Sequence, residues 1–386
     1  MPDAALPLSS MSSNRSVSPL AWGAFLAASW TWVIGMFLPV LLVKDFGGWA
    51  WVIFAVPNCI GAAAMGWTMR SREQSRQFVI DHAVACRVFS LVTIAFHIFF
   101  VSWMLPLRLG PWGYVASAVL VQLAFTPFVK VRTTLVMSVL TLLISVGLAV
   151  ALGSRGALQM PALTPMQPGE FLGLSLVCAL GFLLCPYLDL TFHRARQATS
   201  DFGAQVAFGF GFCIMFLAMI VLTLLYTQTL FSIAGVSTVL LMIHIGVQAA
   251  FTVNVHAASV QQQAESRDDR GNTRAALGAA LAIGFTAALV AHLSEQTGWS
   301  YRGMTIGELL YRSFMRFYGL VAPAYLLSAW ARRRPSVGWW IATILLAAPF
   351  YWIGFMEAAM SWTAVGVFIV LAMSLLGRGV SKRITV

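Results

Sequence analysis

Apolar stretches about as long as a bilayer is thick recur from one end of the chain to the other, and nothing else in its 386 residues constrains the fold as much. A hydrocarbon core of roughly 30 Å takes about 20 helical residues. Runs of that kind lie near 20–43, 48–69, 87–107, 112–129, 133–152, 170–192, 203–228, 233–258, 275–293, 306–330, 337–355 and 361–377. They are continuous rather than alternating in segments of about 10 residues, so helices are expected and a barrel is not. Only 10% of residues are charged, against about 25% in a soluble domain. That excludes a soluble enzyme, a disordered chain and a nucleic-acid-binding domain, and makes the lipid bilayer the expected partner. The first run lacks a small-residue cleavage site and is too long for a signal-peptide core, so it reads as a mature helix.

Lysine and arginine set the orientation. With the N-terminus placed in the cytoplasm, 18 of the 24 fall on inner segments, among them Arg15, Arg70, Arg72, Arg76, Arg194, Arg196 and the Arg332-Arg333-Arg334 run. The other 6, Lys44, Arg108, Arg155, Arg302, Arg312 and Arg316, fall on outer segments. This bias predicts a multi-pass protein of a bacterial-type cytoplasmic (plasma) membrane with both termini cytoplasmic. It also accounts for the net charge of +11 without an acidic partner. The triple-arginine run reads as an anchor on anionic lipid, and the charge-mixed loop around Glu265, Asp268 and Asp269 as a solvated one. Cys59, Cys86, Cys178, Cys185 and Cys213 show no CxxC spacing and read as small apolar packing residues, so neither a disulfide nor a metal site is expected.

The outer connection 153–169, with Pro161, Pro165 and Pro168, is too polar and broken to span. It divides the chain into a cytoplasmic segment (1–19), a first five-helix repeat (20–152), a second (170–330), and two additional helices with a cytoplasmic C-terminus (331–386). No direct sequence repeat links the halves; repeats with an odd number of helices must be inverted.

Two spans are interrupted in matching places. Gly35 and Pro39 lie about two-thirds of the way along the first, toward the outside, and Gly181 and Pro186 interrupt the sixth toward the inside, in the same order. A proline removes a donor and frees a carbonyl one turn back. Freed backbone groups in hydrocarbon are costly unless protein, water or a ligand satisfies them. Paired interruptions in two halves point to the midplane site of a transporter; the alternative is a pair of simple kinks. On the site reading, unwound main chain near residues 35 and 181 faces a shared hollow. Ser29, Trp30, Gly35, Pro39, Gly181, Pro186, Tyr187 and Gln248 are then the expected substrate contacts.

The sixth run and its exit, Leu180-Gly181-Phe182 to Cys185-Pro186-Tyr187 and then Phe192-His193-Arg194-Ala195, resemble the sixth core helix of the sodium/solute symporter family. There a glycine and a proline precede an apolar run and a basic exit. The start of the chain is similar too, with a small and polar first helix ending in Gly-x-x-x-Pro. Trp49 to Trp67, with Asn58 and Gly61, follows it, and then the basic loop at Arg70 to Arg76. The resemblance covers about the first ten spans by topology. It implies an all-α polytopic membrane protein of about 12 transmembrane helices, with the five-plus-five inverted-repeat (LeuT-like) core of the amino acid/polyamine/organocation superfamily and two C-terminal helices. It also implies a secondary active transporter that moves a small polar or amphipathic solute by alternating access, coupled to sodium or protons and needing no other cofactor. One departure bears on the ion. The family joins carbonyls at the first break to a Ser/Thr pair in the eighth helix, whereas His244 to Asn254 here contains no adjacent hydroxyl pair. Thr252 and Gln248 supply only part of a hard-oxygen set, which weakens the case for sodium.

An ionisable side chain at the centre of a span costs at least about 2.5 kcal/mol. Asp189 is the one carboxylate placed clearly inside a predicted helix. It reads either as solvated or paired with an arginine at the inner face, or as an inner gate or proton-linked carboxylate. His97 and His244 lie near helix middles, where most histidines make helix-to-helix bonds. His244 and Gln248, four residues apart, share a face, and with Thr252 they draw a polar stripe that a packed seam and a cavity wall explain equally. Asp189, His244, Gln248 and Thr252 are the candidate ion-coupling residues. Ser29, Thr31, Gln122 and Thr126 either add polar contacts or bond to their own turns.

There is no HExxH, GxSxG, P-loop or suitably spaced carboxylate pair, so an enzyme is not expected. Two other readings stay open. One is a non-transporting membrane protein, a sensor or assembly factor on the same fold, which short loops without an appended domain disfavour. The other is an intramembrane acyltransferase built on an isolated histidine such as His244, for which no convergent second group is evident.

Overall fold

The computed structural model describes residues 17–155, 161–230, 232–263, 267–332 and 336–383. Most of the 1–19 segment with Arg15, part of the 153–169 connection, Glu265, Arg333 and Arg334 lie outside the described residues. Helical spans follow one another along the rest. The second (Gly48–Thr68), third (Ala83–Leu109), fourth (Pro111–Phe125), fifth (Val131–Gly153), eighth (Val236–Gln262), ninth (Arg267–Thr297), eleventh (Val337–Met356) and twelfth (Ser361–Arg383) are single helices. Among the described residues eight helices are long and apolar enough to cross a membrane, nine if the bent first span counts as one. The protein is thus an all-α polytopic membrane protein. Large apolar side chains exposed along the fifth span, such as Leu140, Leu143 and Val150, fit a lipid-facing surface.

Four spans are interrupted. The first consists of Pro19–Trp30 and Val33–Phe46, bent by 54°. The sixth runs as Pro168–Leu184, a 3-10 turn at Cys185–Leu188 and, after Asp189, Leu190–Ala198. The seventh (Asp201–Phe210, then Leu217–Leu222) and the tenth (Ile306–Arg316, then Ala322–Arg332) carry π-helical turns at Gly211–Phe216 and Phe317–Val321, a form frequent at functional sites.

The break in the first span falls at Thr31 and Trp32, not at Gly35 and Pro39, and hydrogen-bond competition explains why. In an unbroken helix the Val33 amide would bond to the Ser29 carbonyl. The Trp32 indole N–H donates to that carbonyl instead, and the Val33 amide turns to His97 Nε2 at 3.3 Å. Pro39 stays within a continuous helix, whose carbonyls at Val33 and Met36 accept from the Tyr311 and Tyr226 hydroxyls, both at 3.0 Å. In the sixth span Gly181 likewise remains helical, its carbonyl accepting from the Cys185 amide. Pro186, which has no N–H, falls within the turn that ends the helix.

Spans 1, 2 and 7 pack on one another with span 6 against the second; spans 8 and 9 pack on the third, span 4 lies along the third and eighth, and span 5 lies between the first and the eighth. The second and sixth touch backbone to backbone at Gly61, where a Cβ would lie 2.6 Å from the Phe182 carbonyl carbon and oxygen. Small residues permit such approach. Gly61→Val is therefore expected to destabilise the purified protein by about 1–3 kcal/mol, read as a lowered melting temperature. An unchanged melting temperature would show that the contact yields freely.

Candidate functional site

The two breaks meet. Ser29, at the end of the first half-helix, bonds to the Leu26 carbonyl at 3.1 Å and accepts from the Thr191 hydroxyl at 3.3 Å. Thr191 opens the segment after the second break, where Asp189 is the N-cap: its Oδ1 accepts from the Thr191 amide and hydroxyl, both at 2.7 Å. A carboxylate there answers the unpaired amides of a helix start. Thr31 donates to the Ala27 carbonyl at 2.7 Å, closing its own turn.

Beside the breaks lies a small, partly open cavity of about 50 Å³. Trp30 and Trp32 wall it from the first break, and Ile34, Leu38 and Leu42, four residues apart, continue that wall along the outer half-helix. The sixth span contributes Val177, Cys178, Gly181 and Cys185, and the tenth contributes Tyr318 and Gly319 at its π turn. The lining is almost wholly apolar. The polar atoms of two lining residues are bonded to protein: Trp30 donates to Asn58 Oδ1 at 2.8 Å, and Tyr318 shares a 3.1 Å bond with the Thr93 hydroxyl.

Buried arginines tie the spans together on either side of this region. At the end with the arginine-rich loops, Arg196 is fully buried and donates to the Met69 and Arg70 carbonyls, each at 2.6 Å. His193 bonds to Ser75 at 2.9 Å and to the Tyr187 carbonyl at 2.8 Å. At the opposite end Arg312, 5% exposed, holds three elements together. It donates to Asp45 Oδ2 of the first span and to Glu308 Oε1, both at 2.6 Å, and to the Phe355 carbonyl of the eleventh span at 2.9 Å. Lys44 lies 3.5 Å from Glu308.

Of the substrate contacts expected from sequence, the structure places Trp30 and Gly181 on the cavity. Ser29 lies one layer behind it, at the junction of the breaks. Gly35 and Pro39 are buried in the outer half-helix, and a Cβ at Gly35 would meet Ile220 and Phe216 of the seventh span rather than the cavity. Pro186 is buried in the 3-10 turn. Tyr187 points to the arginine-rich end, bonding to Thr68 and packing edge-on to Trp330. Gln248 is buried away from the cavity, donating to Ser145 at 2.9 Å.

Among the ion-coupling candidates, Asp189 is fully buried and unpaired with arginine. Arg194 instead turns to the Val129 carbonyl and Thr134, over the Phe25 ring. His244 and Thr252 are buried and make no side-chain hydrogen bond to protein. Sequence reasoning missed three things. Glu308, 7% exposed, is a second carboxylate inside a predicted span, with Arg312 as its mate. Trp32 is a hub touching Trp30, Tyr318, His97 and His256. His256 extends the His244, Gln248, Thr252 spacing by one further step of four, a signal that was available.

Helical spans in series, broken first and sixth helices that meet through Ser29 and Thr191, and a cavity beside them define an all-α polytopic membrane protein. Compared with solved structures, the chain is similar to Mhp1, a nucleobase-cation-symport-1 family transporter, in a closed conformation with bromovinylhydantoin bound. The TM-score is 0.52 and the identity 13%, over 96% of this chain and 93% of that one. No family model matches the chain, and no curated protein matches it.

Proposed function

We propose that this protein is a secondary active transporter that carries a small amphipathic solute, a ring with an apolar body and one polar edge, by alternating access. The observation that carries the reading is the apolar cavity beside the junction of two broken helices, with Arg196 tying the sixth span to the end of the second and Arg312 tying the first, tenth and eleventh spans together. Unwound main chain lets half-helices tilt independently, which is what exposing one site to two sides requires. The likeness to the Mhp1 structure supports the same mechanism, and its bromovinylhydantoin is a ligand of the chemistry this lining favours. The repeats would be residues 20–152 and 170–330. The protein would sit in a cytoplasmic membrane with both termini inside, as the arginine bias favours. The sodium/solute symporter resemblance fits at the level of fold, and the eighth span's lack of a hydroxyl pair argues against sodium as the driving ion.

Bromovinylhydantoin and indole serve as probes. Saturating probe is expected to stabilise the purified protein by about 2–3 kcal/mol at a hundredfold excess over Kd, and proteoliposomes preloaded with probe should take up labelled probe by counterflow. Cys178→Phe, which fills the cavity, should abolish both while the unliganded melting temperature stays close to that of the parent. Absence of stabilisation and of counterflow for uncharged ring compounds as a class would sink the proposal.

A further inference from the structure

We infer that Asp189 and His256 form a single-proton binding site that couples solute movement to a proton gradient; this rests on the transporter reading above and names its ion. Both side chains are fully buried. Asp189 Oδ2 and His256 Nε2 lie 3.8 Å apart, and neither atom has a hydrogen-bond partner in the protein. That gap is too long for a hydrogen bond. The other halves of both groups are held in place. Asp189 Oδ1 is occupied by Thr191, and His256 Nδ1 bonds to Ser90 at 3.2 Å. The two atoms left to face each other are therefore the two that can take a proton.

One proton on the pair, on either atom, leaves it neutral overall; none leaves a lone buried carboxylate, which is expensive unless water reaches it. The remaining titratable neighbours are weak acids or a neutral imidazole: Cys86 from the third span, Cys185 from the sixth and Tyr318 from the tenth face Asp189, and His97 from the third faces His256. His97 is committed elsewhere, Nδ1 to the Thr93 carbonyl at 2.7 Å and Nε2 to the Val33 amide. Its Nδ1 therefore carries the hydrogen and its Nε2 accepts. Among the described residues no arginine or lysine makes an ion pair with Asp189.

The pair adjoins both moving parts. Asp189 caps the segment after the second break, and His256 lies edge-on to Trp32, with ring centroids 5.6 Å apart, while Trp32 also walls the cavity. Cargo and proton thus share one indole as a common wall. Tilting the half-helix at either break hydrates the carboxylate, which exchanges its proton with water on that side as an O–H or N–H bond forms or breaks. Reclosing requires that one be taken up.

Infrared difference spectra of the purified protein in nanodiscs, taken from about pH 5 to about pH 8, should show a protonated-carboxyl band that shifts in heavy water. Asp189→Asn keeps an oxygen acceptor for the cap and should lose that band. His256→Gln should keep it with a displaced midpoint. A carboxyl band unchanged in Asp189→Asn, or neither a protonated-carboxyl nor an imidazolium band in the parent, overturns the proton site whatever the transport result. In proteoliposomes, bromovinylhydantoin uptake should rise about tenfold per unit of inward pH gradient. Asp189→Asn should lose that accumulation but retain counterflow. Uptake driven by sodium alone and indifferent to Asp189→Asn overturns the coupling and leaves the transporter reading standing. Absence of counterflow in the parent overturns both the transporter reading and the coupling.

Discussion

Replacing Arg312 by glutamine is expected to open the end of the cavity remote from the arginine-rich loops. The guanidinium is 5% exposed, so its removal leaves Glu308 and Asp45 as neighbouring carboxylates with little water and no strong mate. Breaking a buried pair by deleting one partner costs about 3–5 kcal/mol. Because the network links the first, tenth and eleventh spans, that cost falls on the closed arrangement. It should shift the ratio of closed to open forms by at least about a hundredfold. Cys178 provides a native reporter, since it lines the cavity and is 7% exposed in the closed form. In Arg312→Gln it should react rapidly with a water-borne thiol reagent, read by mass spectrometry, whereas in the parent it should be protected. Equal protection in both would show that the network is not the seal.

Trp32→Ala carries the second large effect. The indole is 2% exposed, with ring centroids 4.3 Å from Trp30, 5.3 Å from Tyr318 and 5.8 Å from Phe89. Truncating a buried tryptophan costs about 3–5 kcal/mol. Here it also removes the donor that holds the Ser29 carbonyl away from Val33. The melting temperature should fall steeply and probe stabilisation should vanish, while Trp32→Phe, which keeps the ring contact, recovers most stability but not the break. A Trp32→Ala protein that melts with the parent would remove the indole from its place as the hinge of the site.

Much of the architecture was legible because a membrane imposes a simple code. A span must be apolar for about 20 residues and its flanks sort by charge, so the spans could be read without knowing any contact. Pro186 was read rightly as ending a helix, because a missing amide acts locally. Pro39 misled because a proline can be carried inside a helix, as it is here within Val33–Phe46. The true break depends on an indole folding back and on a histidine from the third span accepting the released amide. Neither has a signature in the first span's own sequence beyond the presence of Trp32.

The charged residues divide in the same way. Arg312, counted from sequence as an outer-segment charge, turns out to be the buried centre of an ion-pair network, because Asp45 and Glu308 meet it only once the first and tenth spans are packed. Asp189 was singled out from sequence as a carboxylate without an evident reason to lie in a span; its mate, 67 positions further on, was not. By itself, then, the sequence determined a multi-spanning helical protein whose sixth helix is interrupted at Pro186, since hydropathy and proline act within one segment. Which atoms close the site, which walls line it and which two groups face each other over 3.8 Å were decided by tertiary packing. Those are relations between segments far apart in the chain, and hydrogen-bond competition among them has no local trace.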